Sequence, residues 1–148
     1  MSEEINPMEK FDFLLGTWKL ISEVPKSQFS EHDLGEGKGE FKRILNDRYI
    51  TFDYKIEYSN SKVGAHAIFV WDNKSKNYKY WWYEDSGAFS HTACDFIDDK
   101  TLCLNWSDSL FVQTFQQTET GNIRLEMRYP KNKNEYEVVL KVLLTKVQ

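Results

Sequence analysis

The chain has 148 residues, a formal net charge of −4 and an aromatic content of 16%. This length suits one domain, residues 1–148, and many aromatics with a small net charge argue against a disordered chain. An acidic chain without a cluster of Lys and Arg has no electrostatic reason to bind nucleic acid or an anionic membrane, so we expect neither as a partner.

The N-terminal sequence has no features of a targeting segment. It predicts one short helix. Residues 1–10 are polar and acidic, without the apolar core of a signal peptide, and no apolar run is long enough to span a bilayer. We therefore expect a cytoplasmic protein. Asn6 and Pro7 are typical of a helix start, and Gly16 of a helix end. Between them, apolar residues recur at helical spacing: Met8, Phe11, Leu14 and Leu15.

From residue 17 onward the apolar pattern alternates with a period of two, which is typical of β-strands. Turn residues divide this pattern at roughly ten-residue intervals. The predicted strands are 17–24, 35–45, 48–58, 63–72, 76–85, 88–97, 100–106, 110–119, 122–129 and 135–147. Hairpin-length connections favour an all-β fold, an antiparallel up-and-down barrel of about ten strands. A sandwich is the less favoured alternative.

Three glycines, Gly35, Gly37 and Gly39, share one face of the second predicted strand. Glycine inside a strand usually marks a bend or a close approach of two backbones, as at a barrel corner. The same strand face carries Phe41, Arg43 and Leu45, which we expect to point inward.

The segment Leu14-Leu15-Gly16-Thr17-Trp18, a helix running into Gly-x-Trp, resembles the start of the calycin group of lipocalins, fatty-acid-binding proteins and nitrobindins. Further segments resemble bacterial lipocalin-like domains: 46–49, 64–66 leading to 71–72, and 123–129 with 136–146. The resemblance implies a barrel whose N-terminal helix plugs one end and whose interior holds a small apolar ligand. It implies no reaction.

The resemblance also bears on haem. Nitrobindins carry a histidine early in the last strand as the iron ligand, whereas residues 135–139 here contain none. We therefore expect no cofactor. Tyr136 is the residue in this segment that is chemically able to ligate ferric iron.

Arg43 is a candidate for ligand binding because an inward guanidinium needs a carboxylate partner. One interpretation is an internal salt bridge, or a rim position where the side chain reaches water. The other is an anchor for a ligand carboxylate, which the resemblance to fatty-acid-binding proteins supports. Arg48, at a strand end, and His32, in a polar connection, are expected in solvent.

His66, Glu84 and His91 are candidates for a reactive or metal-binding cluster, provided that all three point into the barrel. Each alone is more often a polar group with an ordinary hydrogen-bond partner. We therefore expect a binding protein rather than an enzyme.

The aromatic run at residues 78–83 is apolar on both faces, so one face is expected to line the interior and the other to need a cover. Trp81 and Tyr83 on the outer face are candidates for pairing two subunits. The favoured function is binding of a small hydrophobic or amphipathic ligand inside the barrel. Its alternatives are an enzyme using the histidines and Glu84, and a dimerising module with a filled barrel. The predicted ligand-binding residues are Arg43, Tyr54, His66, Tyr80, Trp82, Glu84, His91, Met127 and Tyr136.

The two cysteines, Cys94 and Cys103, are too few for a disulfide framework or a Cys-rich zinc site. They face each other directly if Asp98-Asp99 is a two-residue hairpin loop, and a three-residue loop separates them by shifting the register. In a reducing cytoplasm we expect two thiols.

Overall fold

The computed structural model of the protein describes residues 6–106 and 110–147. Within these residues, ten antiparallel strands form a closed barrel in which each strand pairs with its neighbours in sequence and the first pairs with the last. The strands are β1 (Gly16–Val24), β2 (Asp33–Ile44), β3 (Tyr49–Glu57), β4 (Lys62–Asp72), β5 (Asn77–Glu84), β6 (Phe89–Asp98), β7 (Thr101–Asn105), β8 (Val112–Gln117), β9 (Ile123–Asn132) and β10 (Glu135–Lys146). The predicted all-β up-and-down barrel is confirmed.

The N-terminal helix, Pro7–Leu14, is a 3-10 helix. The Asn6 side chain caps it by accepting a hydrogen bond from the Met8 backbone N–H at 3.0 Å. A 3-10 helix turns every three residues, so Met8, Phe11 and Leu14 fall on one face, and all three are buried. The Phe11 ring packs against aromatic rings from β4, β5 and β6. The helix therefore closes one end of the barrel. Nowhere in the described ranges is a helix long and apolar enough to cross a membrane.

Aromatic side chains fill the part of the barrel next to the helix. Phe41 and Phe52 stack with ring centroids 3.9 Å apart, and Phe69 and Phe115 pack edge to face at 6.2 Å. All four rings are buried. Offset and edge-to-face packing of this kind adds to the free energy gained by burial. The interior next to the helix is a packed aromatic core.

Gly37 confirms the predicted close approach of backbones on β2. A Cβ at this position would overlap the Lys55 carbonyl oxygen and lie 2.8 Å from the Ile56 Cα, both on β3. Gly35 is similarly crowded by the side chains of Tyr58 and Ile56, and Gly39 by those of Phe52 and Tyr54. The absence of side chains lets β2 and β3 curve tightly together at this point of the barrel.

The end of β2 differs from the prediction. Leu45, Asn46 and Asp47 have φ angles of 51°, 59° and 60°, so the chain leaves the extended conformation directly after Ile44. Leu45 consequently lies in an exposed turn and does not point inward. Arg48, in the same turn, is exposed as expected.

The pairing of β6 with β7 decides between the two arrangements of the cysteines and separates them. An irregularity between Phe96 and Asp98 shifts the register, so that Cys94 lies opposite Leu104, and Cys103 lies opposite Asp95. Cys94 is buried inside the barrel, while Cys103 is half-exposed on the outer face. Both thiols are free.

Candidate functional site

A cavity of about 520 Å³ occupies the part of the barrel away from the helix. Its size lies in the range of ligand pockets in proteins. Its wall is mainly apolar and aromatic, with three polar side chains that are not aromatic. The lining residues are Leu20, Phe52, Tyr54, Ile56, Tyr58, Val63, Tyr80, Trp82, Glu84, Ser90, Trp106, Phe111, Gln113, Leu125, Met127, Leu140 and Val142.

Small side chains on β4 help to create this space. Ala65 lies between Tyr54 on β3 and Glu84 on β5, and Ala67 lies between Phe52 and Trp82. Because side chains alternate across a strand, these partners share the inner face. A methyl group between two large side chains leaves the volume that a larger residue would fill.

Hydrogen bonds tie several polar atoms of the wall to one another. Trp82 Nε1 donates to the Tyr54 hydroxyl oxygen at 3.0 Å. Trp106 Nε1 donates to Gln113 Oε1 at 3.2 Å, and the hydroxyls of Tyr58 and Ser22 share a hydrogen bond of 2.8 Å. These bonds fix the orientation of the aromatic wall.

The Tyr80 hydroxyl differs from these groups because it forms no hydrogen bond with another residue of the described part of the chain. The residue is only 2% exposed. Burial raises the pKa of Tyr80 well above its usual value, and burial raises the pKa of Tyr54 to about 12. Both phenols are therefore neutral at physiological pH and keep their protons. Tyr80 therefore offers a hydroxyl donor to the cavity that it lines.

Glu84 supplies the charge at the cavity wall. Its side chain points inward from the last residue of β5, and Ser86 Oγ donates to its Oε1 at 2.7 Å. Within residues 6–106 and 110–147, no cation forms an ion pair with Glu84, and no Lys, Arg or His lines the cavity. The cavity is apolar with a negative group at its wall.

Five of the nine residues predicted to bind a ligand line the cavity: Tyr54, Tyr80, Trp82, Glu84 and Met127. Arg43 does not. It points inward at the helix end of β2 and forms an ion pair with Asp12 of the N-terminal helix. This placement supports the interpretation of Arg43 as part of a salt bridge. The interpretation of Arg43 as an anchor for a ligand carboxylate inside the cavity is wrong.

The predicted convergence of His66, Glu84 and His91 is wrong. Ala65 and Ala67 face inward, so His66 between them faces outward, where its Nδ1 pairs with Asp53. His91 is also on the outer surface, with its ring stacked on Trp81 at 6.3 Å. Only Glu84 points into the barrel.

Tyr136 is also outside the cavity. It lies at the start of β10, its side chain is 59% exposed, and the residue directly opposite is Pro130. Tyr136 is therefore placed in solvent rather than against an enclosed cofactor. No group of three or more His, Cys, Asp or Glu side chains with metal-binding geometry occurs among the residues that the structure describes.

Sequence reasoning missed much of the wall, above all Trp106, Phe111 and Gln113 around β7 and β8. The alternation of apolar and polar residues along β1 and β10 did indicate that Leu20, Leu140 and Val142 point inward. Trp106 continues the alternation of Leu102 and Leu104, and Phe111 continues that of Gln113 and Phe115, so the predicted strands 100–106 and 110–119 also indicated their direction. In the structure each residue lies just outside its strand.

The outer face of β5 and β6 carries the aromatic residues that the sequence suggested for subunit pairing. Tyr83 is 45% exposed and Phe89, directly opposite on β6, is 75% exposed. Trp81 is partly covered by His91. These residues form an exposed aromatic patch.

The fold and cavity define a closed β-barrel protein with an internal, aromatic-lined cavity. The chain belongs to the family described as "Protein of unknown function (DUF1579)", whose model matches residues 6–135. No curated protein sequence matches the chain.

Two solved structures share the fold at very low sequence identity. The crystal structure of Rv2717c from M. tuberculosis is 9% identical with a TM-score of 0.72, and the alignment covers 98% of this chain and 100% of the other. The S-type phycobiliprotein lyase CPES from Guillardia theta is 7% identical with a TM-score of 0.57, covering 98% of this chain and 94% of the other. These similarities establish the fold alone.

Proposed function

We propose that the protein binds one small hydrophobic or amphipathic molecule inside the barrel and catalyses no reaction on it. The observation that carries this proposal is the cavity of about 520 Å³, closed by the helix at one end and lined mainly by apolar and aromatic side chains. A filled barrel has no such space. Interiors of proteins are otherwise close-packed, so a cavity this large is costly unless something fills it.

The buried Tyr80 hydroxyl supports the amphipathic part of the proposal. An apolar cavity with a few placed polar groups is the usual form of a small-molecule site, in which the polar groups orient the ligand. A ligand with an oxygen or nitrogen acceptor would complete the hydrogen bonding of Tyr80. The similarity to a phycobiliprotein lyase concerns the fold alone, and the cavity of this chain supports the proposed ligand.

The test is titration of the protein with the neutral dye Nile red, whose emission increases in apolar surroundings. We expect saturable binding of one dye per chain. Leu140→Trp places a larger side chain in the cavity and should weaken binding by about tenfold or more, since a filled cavity has no room for the dye.

The matched control is Leu143→Trp, on the same strand but 40% exposed on the outside. It should bind Nile red like the unmodified protein. Thermal unfolding of both variants verifies that they are folded. Absence of saturable binding to the folded, unmodified protein, or equal binding by both variants, would contradict the proposal.

A second candidate function is formation of a homodimer through the exposed aromatic patch of Trp81, Tyr83 and Phe89. An exposed Phe opposite an exposed Tyr is typical of the centre of a subunit interface. Light scattering should show a dimer at high protein concentration, and Phe89→Asp should return it to a monomer. A monomer at every concentration would rule out this role of the patch.

A further inference from the structure

We infer that the cavity selects a cationic amphiphile, such as a protonated primary amine on an apolar body, and discriminates against a carboxylate of the same size. This inference rests on the proposed binding function and specifies the charge of the ligand. It is the opposite of the interpretation in which Arg43 anchors a ligand carboxylate.

The first support is the charge of the cavity wall. Glu84 lines the cavity from β5, and no basic side chain of the described residues lines this cavity. The basic residues near Glu84, Lys38, Lys55 and His66, border a separate groove instead. Arg43 is at the other end of the barrel, where Asp12 already neutralises it. A carboxylate ligand would therefore lose its hydration without gaining a cation, and it would also be repelled by Glu84.

The second support is the incomplete set of partners around Glu84. Its Oε1 accepts a hydrogen bond from the neutral Ser86 hydroxyl at 2.7 Å, and no ion pair to Glu84 occurs within the ranges that the structure describes. An ammonium group has three donors, so it can bind the second carboxylate oxygen and still reach a neighbouring hydroxyl. Charge-assisted bonds of this kind are the stronger ones.

The third support is the aromatic composition of the wall beside Glu84. Trp82 lies two residues before Glu84 on the same inner face, and Tyr54 lies across Ala65 from it. The Tyr54 hydroxyl already accepts a hydrogen bond from Trp82 at 3.0 Å. Aromatic rings attract cations and do not attract anions. The carboxylate and the rings thus favour the same sign of charge.

The experiment compares three ligands with one chain length and different charge: decylamine, decanol and decanoate. Each displaces Nile red from the protein at neutral pH, below the concentration at which it forms micelles. We expect decylamine to bind roughly tenfold more tightly than decanol, and decanoate to bind more weakly than decanol. Glu84→Gln should bring decylamine to within about twofold of decanol.

The matched control is Glu57→Gln, which removes one negative charge near the same end of the barrel. Glu57 faces outward and pairs with Lys62 at 3.6 Å, so its loss should leave the preference for decylamine unchanged. A second measurement needs no variant. Added salt should weaken binding of decylamine to the unmodified protein and should not weaken binding of decanol, because salt screens the attraction to Glu84.

The outcomes separate the inference from the proposed function. If Nile red and decanol bind but decylamine binds no more tightly than decanol, the charge selection is wrong and the binding function stands. The same conclusion follows if Glu84→Gln and Glu57→Gln behave alike. If nothing binds saturably, both fail.

Discussion

At the scale of single residues, Tyr78 and Tyr80 show how two similar side chains on one strand differ through their partners. Both are buried on the inner face of β5. The Tyr78 hydroxyl donates to the Pro7 carbonyl oxygen at 2.7 Å and so links the barrel to the N-terminal helix. The Tyr80 hydroxyl faces the cavity and forms no such bond with the residues that the structure describes.

Tyr78→Phe should lower the free energy of unfolding by about 1 kcal/mol, because it removes a hydrogen bond and leaves a carbonyl without its partner. Tyr80→Phe should change it by less than about 0.5 kcal/mol, since no hydrogen bond within the described chain is lost. Urea denaturation of the ligand-free protein measures both. Equal destabilisation by the two variants would show that Tyr80 has a structural partner.

The two cysteines should differ in reactivity. Burial raises the pKa of the Cys94 thiol to about 12, and Cys103 is half-exposed on the opposite face with a smaller rise. Only the thiolate reacts, so at pH 8 iodoacetamide should modify Cys103 first, by about tenfold or more in rate. Peptide mapping by mass spectrometry identifies the site. Prior reaction of Cys94, or a disulfide between the two residues, would contradict the register of β6 and β7.

At the scale of elements, the curvature of β2 against β3 depends on Gly37. Gly37→Ala would place a methyl group against backbone atoms of Lys55 and Ile56, which cannot rotate away. We expect a loss of about 2–3 kcal/mol in the free energy of unfolding, as for other overpacked sites. Gly64→Ala, on β4, meets only the end of the Asp85 side chain at 3.0 Å and should cost less. Thermal and urea unfolding of the two variants test the difference, and similar losses would refute it.

At the scale of the whole molecule, buried phenols make stability depend on alkaline pH. Burial raises the pKa of Tyr54 and of Tyr78 to about 12, and burial also raises the pKa of Tyr80. An unfolded tyrosine titrates near pH 10, so above that pH the unfolded chain releases protons that the folded barrel retains. The contribution of these tyrosines to the free energy of unfolding is fully present below about pH 10 and is lost between about pH 10 and 12.

The expected slope is about 1.4 kcal/mol per pH unit for each buried tyrosine. Urea denaturation over this pH range, together with the absorbance of tyrosinate, measures it. Tyr80→Phe should reduce the slope. Stability that stays constant up to pH 12 would show that the phenols titrate normally in the folded protein.

Much of the barrel was predictable because alternation is a local property. On β3 and β5 the alternating aromatic residues predicted the strands. They also predicted part of the cavity wall, namely Tyr54, Tyr80 and Trp82. On β4 alternation failed as a guide. Its outer face carries Ile68 and Val70, so both faces are apolar and the pattern alone does not show which one points inward. The outward direction of His66 follows from the pairing of β4 with β3.

The sequence by itself determined the class of fold, the N-terminal helix and the close approach at the β2 glycines, since each depends on residues near one another in the chain. Only the tertiary structure decided the partner of Arg43, which is Asp12, the separation of the cysteines by a register shift, and the presence of an open cavity. These depend on side chains brought together from distant strands. The volume left between them follows from strand pairing and packing, which no local pattern records.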